Sequence, residues 1–102
     1  MKFKILVVGL GSMGKRRIRN LQKLGYHDIL GFDVREDRCS ESKKKYGIKT
    51  FVNFKDAVSK FPNVLIISTP PHLHEKYLNY AIKYNISFFS ELNLFPNIVK
   101  KS

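Results

Sequence analysis

Three glycines near the amino terminus carry the first chemistry in this sequence. Gly9-Leu10-Gly11-Ser12-Met13-Gly14 has the spacing G-x-G-x-x-G. The glycines differ in what they permit. Gly9 lets the chain turn sharply, Gly11 bares the backbone, and Gly14 lets one element press closely on another. Bared backbone at the start of a helix, with the amides of Ser12 and Met13 still free, is suited to hold phosphate. Asp33 follows Gly14 by about 20 residues, the separation at which an acidic side chain reaches a ribose hydroxyl pair. Together these residues describe a site for a dinucleotide. Asp33 would repel a 2′-phosphate, which favours NAD. Arg35 and Arg38 could each meet a 2′-phosphate, which leaves NADP open. The plainer alternatives are a glycine-rich turn without a ligand and an Asp33 that only starts a turn or caps a helix.

Other reactive residue types form no constellation. Cys39 is the single cysteine and lies in a charged stretch, which suits an ordinary thiol in a reducing compartment. His72 and His74 have no cysteine or carboxylate at ligand spacing, so no metal site is expected. No Ser-His-Asp or Cys-His arrangement suggests nucleophilic catalysis.

The elements that must position these residues follow from the hydrophobic pattern. Phe3–Val8 is a continuous apolar run, as in a strand buried on both faces. From Met13 to Leu24 the spacing turns helical, with Gly14, Ile18 and Leu21 on one face and Gly25 as the stop. Asp28–Asp33, Ile48–Val52, Asn63–Ser68 and Ile86–Ser90 read as four further strands. Helices are predicted over Glu36–Tyr46, over a short stretch capped by Asn53, and from Pro70-Pro71 to about Tyr84, carrying Leu73, Tyr77, Leu78, Ala81 and Ile82. Tyr77, Tyr80 and Tyr84 are expected in core and surface rather than as a stacking platform. Alternating strands and helices imply an α/β Rossmann-type three-layer fold with a parallel sheet ordered 3-2-1-4-5. In that order the loops after strands one and four border one crevice.

The fourth strand continues into Ser68-Thr69-Pro70-Pro71-His72-Leu73-His74, and the fifth into Ser90-Glu91-Leu92-Asn93. With the glycine motif, these stretches resemble the N-terminal NAD(P)-binding domain of the Gfo/Idh/MocA oxidoreductases, from Phe3 to about Leu94. The resemblance rests on Thr69-Pro70, on a histidine four residues after the proline (His74), and on Glu91. It implies that Ser68, Thr69 and Pro70 line the cofactor cleft and that Glu91 lies near the nicotinamide ribose. His74 is a further candidate for cofactor contact. The resemblance fails at Leu92, where the family carries a lysine used in substrate binding and proton handling, and at Asn93, where it carries a proline. Leucine can neither donate nor accept a proton, so no catalytic residue is assigned.

The expected organisation is a dinucleotide-binding domain over 1–94 and an irregular tail over 95–102, where a substrate domain would begin. The expected function is the NAD(P)-binding part of an oxidoreductase acting on sugar, polyol or nucleotide-sugar CH–OH groups, inactive alone. The alternative is a non-catalytic dinucleotide-binding module completed by a partner chain. Surface that a second domain would cover leaves room for a homo-oligomer or a partner chain. The formal net charge of +11, from 19 basic and 8 acidic residues, favours anionic partners without choosing among them. No recognition motif supports specific nucleic-acid binding. No apolar run approaches the roughly 20 residues of a membrane helix, and the short run after Lys2 and Lys4 lacks a cleavage site, so a cytoplasmic protein is expected.

Overall fold

A computed structural model of the chain describes residues 3–90. The expectations that fall on residues 91–102, Glu91, Leu92 and the tail among them, lie outside the described residues.

Strands and helices alternate as β1 (Ile5–Val8), α1 (Ser12–Lys23), β2 (Ile29–Phe32), α2 (Glu36–Tyr46), β3 (Lys49–Phe51), α3 (Phe54–Val58), β4 (Val64–Ile67), α4 (Pro71–Lys83) and β5 (Ser87–Ser90). Each predicted element is present, with the strands one or two residues shorter than the runs that announce them. Phe3 is 41% exposed and stands before β1 rather than in it.

The local causes are visible at the element ends. Glycine after α1 and α2 takes the left-handed conformation that stops a helix: Gly25 has φ +94° and Gly47 has φ +68°. Helix α2 places Glu36 and Asp37 in its first turn and Lys43–Lys45 in its last, both favourable to the helix dipole. The Asn53 side chain accepts a hydrogen bond from the Lys55 N–H and caps α3. Pro71 opens α4, where its missing N–H costs nothing.

All five strands are parallel, in the order β3-β2-β1-β4-β5. Both faces of the sheet are covered, which is why β1 and β2 are buried at every position. One face packs Val7, Ile29 and Ile66 against Ile18 of α1 and Cys39 of α2. The other packs Leu6, Val8, Leu65 and Ile67 against Ala57 of α3 and Tyr77 and Ala81 of α4. Ile82 of α4 is 66% exposed. His74, Tyr77 and Ala81 share the inward stripe, and the helical repeat turns the next position away from it.

Candidate functional site

From β1 the chain moves to one side of the sheet to form β2 and β3, and later to the other side for β4 and β5. The loops after β1 and β4 therefore part at the centre and leave a crevice at the strands' carboxyl ends. A cleft of about 570 Å³ opens there. Gly9, Gly11, Ser12 and Met13 form one wall, Asp33, Arg35 and Arg38 a second, and Ser68, Thr69, Pro70 and His74 a third. Ten of the twelve candidate residues thus meet in one cavity, joined by Arg38. Gly14 is not in the lining, and Glu91 lies outside the described residues.

The three glycines are glycine for different reasons. Gly9 has φ +97°, and a Cβ built there would stand 3.0 Å from the Ser68 carbonyl carbon and oxygen and from Thr69 Cγ2. A Cβ on Gly14 would lie 1.8 Å from the Gly9 carbonyl oxygen, so Gly14 stands behind the cleft and lets α1 close on the loop. Gly11 is under neither constraint. Its φ is −75°, and a built Cβ meets only the Arg38 guanidinium, at 3.5 Å or more. The folded chain has room for a side chain at Gly11 and carries none.

Gly11 caps α1 without a side-chain hydrogen bond, and no acidic residue lies in the first turn. The Lys15 N–H donates to the Gly11 carbonyl at 3.0 Å. The amides of Ser12, Met13 and Gly14 precede that bond and have no acceptor within the helix. Lys15 is ion-paired with Glu41 of α2, which holds the Glu41 carboxyl below the usual carboxylate range. This pair partly offsets the charge that Lys15 brings to the positive end of the helix.

Asp33 is tied to backbone on two sides. Its side chain is only 7% exposed. Oδ2 accepts from the Leu10 N–H at 2.9 Å, and Oδ1 accepts from the Arg35 N–H at 2.8 Å. The carboxylate therefore ties the glycine loop to the end of β2 and the start of α2. Arg38 Nη1 approaches Oδ2 at 3.5 Å, with the Arg38 side chain 39% exposed in the cleft. Arg35 turns its guanidinium to Asp37, with Nη2 and Nε donating to the two carboxylate oxygens at 2.8 and 3.1 Å. Of the two arginines, Arg38 is the one that leans over the Gly11 backbone.

The wall after β4 carries unused hydrogen-bonding capacity. Ser68 Oγ and Thr69 Oγ1 are buried without a partner. Buried hydroxyls in native proteins are nearly always paired, so two orphans at the edge of a cleft fit a polar ligand. Together with the open ground at Gly11, they fit the sugar and phosphate groups of a dinucleotide. His74 is 6% exposed, and its Nε2 lies 2.7 Å from the Thr69 carbonyl oxygen. The carbonyl can only accept, so Nε2 is the donor.

Phe32, Val34, Leu73 and Tyr77 complete the apolar lining. Their types and spacing do not distinguish them from core or surface residues. Tyr77 belongs to the core, as expected, and also reaches the cleft. Burial, together with the Asp33 charge, pushes its phenol up, so it stays a neutral hydroxyl. Among the described residues no cluster of His, Cys, Asp and Glu could hold a metal, and no helix is long and apolar enough to cross a membrane.

The chain is similar to several known proteins. A UDP-N-acetylmuramoylalanine–D-glutamate ligase from Caldicellulosiruptor saccharolyticus is 29% identical over 96 residues, covering 89% of this chain and 21% of the ligase. The WlbA dehydrogenase from Bordetella pertussis, in complex with NADH and UDP-GlcNAcA, superimposes with TM-score 0.77 at 18% identity, over 87% of this chain and 28% of the enzyme. The scyllo-inositol dehydrogenase from Lactobacillus casei, with bound NAD(H) and scyllo-inositol, gives TM-score 0.75 at 24% identity, over 88% of this chain and 28% of the enzyme. The chain therefore spans less than a third of each. At these identities the structures establish the fold. The family is established by the model of the Gfo/Idh/MocA oxidoreductases, described as an oxidoreductase family with an NAD-binding Rossmann fold, which matches residues 3–94. The glycine loop, the parallel sheet and the cleft are accordingly those of the NAD-binding Rossmann domain of the Gfo/Idh/MocA oxidoreductase family, to which this chain belongs.

Proposed function

We propose that this chain supplies the nicotinamide-dinucleotide half of an oxidoreductase acting on CH–OH groups of a sugar, polyol or nucleotide sugar, and that it turns over little or no substrate alone. The observation that carries the reading is Gly11: the fold has room for a side chain there and carries none, as a backbone approached closely by a diphosphate would require. The amides of Gly11, Ser12 and Met13 would hold the diphosphate. Arg38 would face the adenosine ribose across Asp33, and the Ser68 and Thr69 hydroxyls would pair with ligand oxygens on the opposite wall. Glu91 would stand near the nicotinamide ribose. The substrate class comes from relatives such as the WlbA and scyllo-inositol dehydrogenases.

The nicotinamide ring, when bound, supplies the hydride chemistry; the protein must orient a substrate against it and move a proton. His74 is buried and spends a nitrogen on Thr69, and Asp33 is held by two amides, so neither is placed for proton transfer. Leu92, at the position of the family lysine, has no proton to give. Leu92 also favours a second reading, a dinucleotide-binding module that a partner chain completes.

Thermal shift with NAD, NADH, NADP and NADPH tests the proposal. A ligand at about 100 times its dissociation constant stabilises by about 2.7 kcal/mol. No shift with any of the four, on folded protein, refutes it. Turnover of a sugar and polyol panel by this chain alone refutes the claim of inactivity.

A further inference from the structure

The loops after β1 and β4 touch more closely than a cleft between two independent walls requires. A Cβ on Gly9 would stand 3.0 Å from the Ser68 carbonyl and from Thr69 Cγ2. The strand ladder ends in the same place, with the Ser68 N–H on the Val8 carbonyl at 2.7 Å and the Gly9 N–H on the Phe32 carbonyl at 2.8 Å. Beyond those bonds the Thr69 peptide leaves the sheet, and the neighbouring hydroxyls of Ser68 and Thr69 do not anchor it. The His74 ring holds it, through the 2.7 Å bond from Nε2 to the Thr69 carbonyl. His74 sits one turn into α4 and is 6% exposed, so its position is set by helix packing rather than by solvent.

We propose that His74 is a positioning residue: through the Thr69 carbonyl it presses the β4–α4 loop against Gly9 and so fixes the width of the dinucleotide cleft. This deepens the reading of the cleft given above and rests on it. His74 would then act on the ligand only indirectly, with its donor nitrogen spent on the backbone and almost no surface in the cavity. Its effect reaches the glycine loop because Gly9 and Thr69 have no slack between them. If Thr69 swings away, Gly9 loses its neighbour and the amides that follow lose their fixed direction.

The experiment compares wild type, His74→Leu and His74→Gln on the 102-residue chain. Glutamine carries an amide N–H about as far from its backbone as the histidine Nε2, whereas leucine fills space without a donor. Two readouts are taken: the NADH dissociation constant by calorimetry, and amide hydrogen exchange at Gly9–Met13 without ligand. The expected result is at least a tenfold weaker NADH affinity and at least tenfold faster exchange in H74L. In H74Q both should return to within about threefold of wild type. A purely structural histidine would lower the melting temperature in H74L but leave affinity and loop exchange unchanged, and that result overturns the proposal. So does failure of H74Q to restore either readout. If H74L does not fold, His74→Asn replaces it, since its shorter amide cannot span to Thr69. If wild type binds no dinucleotide, the reading of the cleft fails, while the exchange measurement still decides whether His74 governs the loop.

Discussion

Replacing Gly11 by alanine separates what the fold needs from what a ligand needs. The backbone at Gly11, with φ −75° and ψ −162°, suits any residue. The added methyl would meet the Arg38 Nη1 at 3.5 Å, an ordinary contact with the movable end of a side chain. The cost to the fold is that of alanine at a helix N-cap, about 0.5–1 kcal/mol. The cost to binding is larger, because the methyl stands between the diphosphate and the amides of the first turn. Losing one charge-assisted hydrogen bond costs about 1.5–3 kcal/mol, or roughly a ten- to hundredfold weaker affinity. Urea unfolding and NADH calorimetry on the same preparation read the two effects. If Gly11→Ala binds NADH as wild type does, the backbone at Gly11 is not where the diphosphate lies. If it loses more than about 2 kcal/mol of stability, well beyond a lost N-cap, the fold itself demands glycine there, and Gly11 no longer points to a ligand.

Gly14→Ala should behave in the opposite way. With the built Cβ 1.8 Å from the Gly9 carbonyl oxygen, α1 must back away from the sheet, at a cost of about 1–3 kcal/mol or more, visible as a lower urea midpoint. Arg38→Ala should weaken NADP at least tenfold while changing NAD less than threefold, because Arg38 is the cation that faces the Asp33 side of the cleft; equal effects in paired titrations would remove Arg38 from 2′-phosphate recognition. Cys39 should resist alkylation in the folded protein and react once it unfolds, because its Sγ is buried, 3.3 Å from both the Asp33 and Phe51 carbonyl oxygens, which share its one S–H. Burial pushes its thiol up, so the unfolded chain releases that proton first. The stability this proton carries is intact below the unfolded value of about 8.5 and is lost as pH rises from there toward the folded value. Cys39→Ala should flatten that alkaline decline in a melting-temperature profile.

Every element was legible because apolar runs, glycine stops and helical spacing are local signals, and the order of the sheet followed from the alternation of strands and helices with right-handed crossovers. Gly9, Gly11 and Gly14 were legible for the same reason, each role following from its place between a strand and a helix. The use of Asp33 was legible only in part. Its spacing from Gly14 marks it as facing the site, and its bond from the Arg35 N–H two residues on is the turn or cap the sequence also allows, but its bond from the Leu10 N–H joins residues 23 apart and depends on how the end of β2 meets the loop after β1, which no short stretch encodes. Arg35 and Arg38 were equivalent by residue type and spacing. The first turn of α2 separates them, giving Arg35 to Asp37 and sending Arg38 back over Gly11. Nothing in the sequence marks Val34, Leu73 and Tyr77 as cleft residues, because apolar residues in a cleft wall have the same composition and spacing as apolar residues in a core.

The two oxygens of Asp33 staple together the glycine loop, the end of β2 and the start of α2. A mutation there that alters which cofactor is preferred also unfastens the turn that receives it, and the two effects will arrive as one phenotype. Efforts to retune cofactor choice in this domain should therefore leave Asp33 in place and work through Arg38, whose head group can be exchanged without pulling the staple.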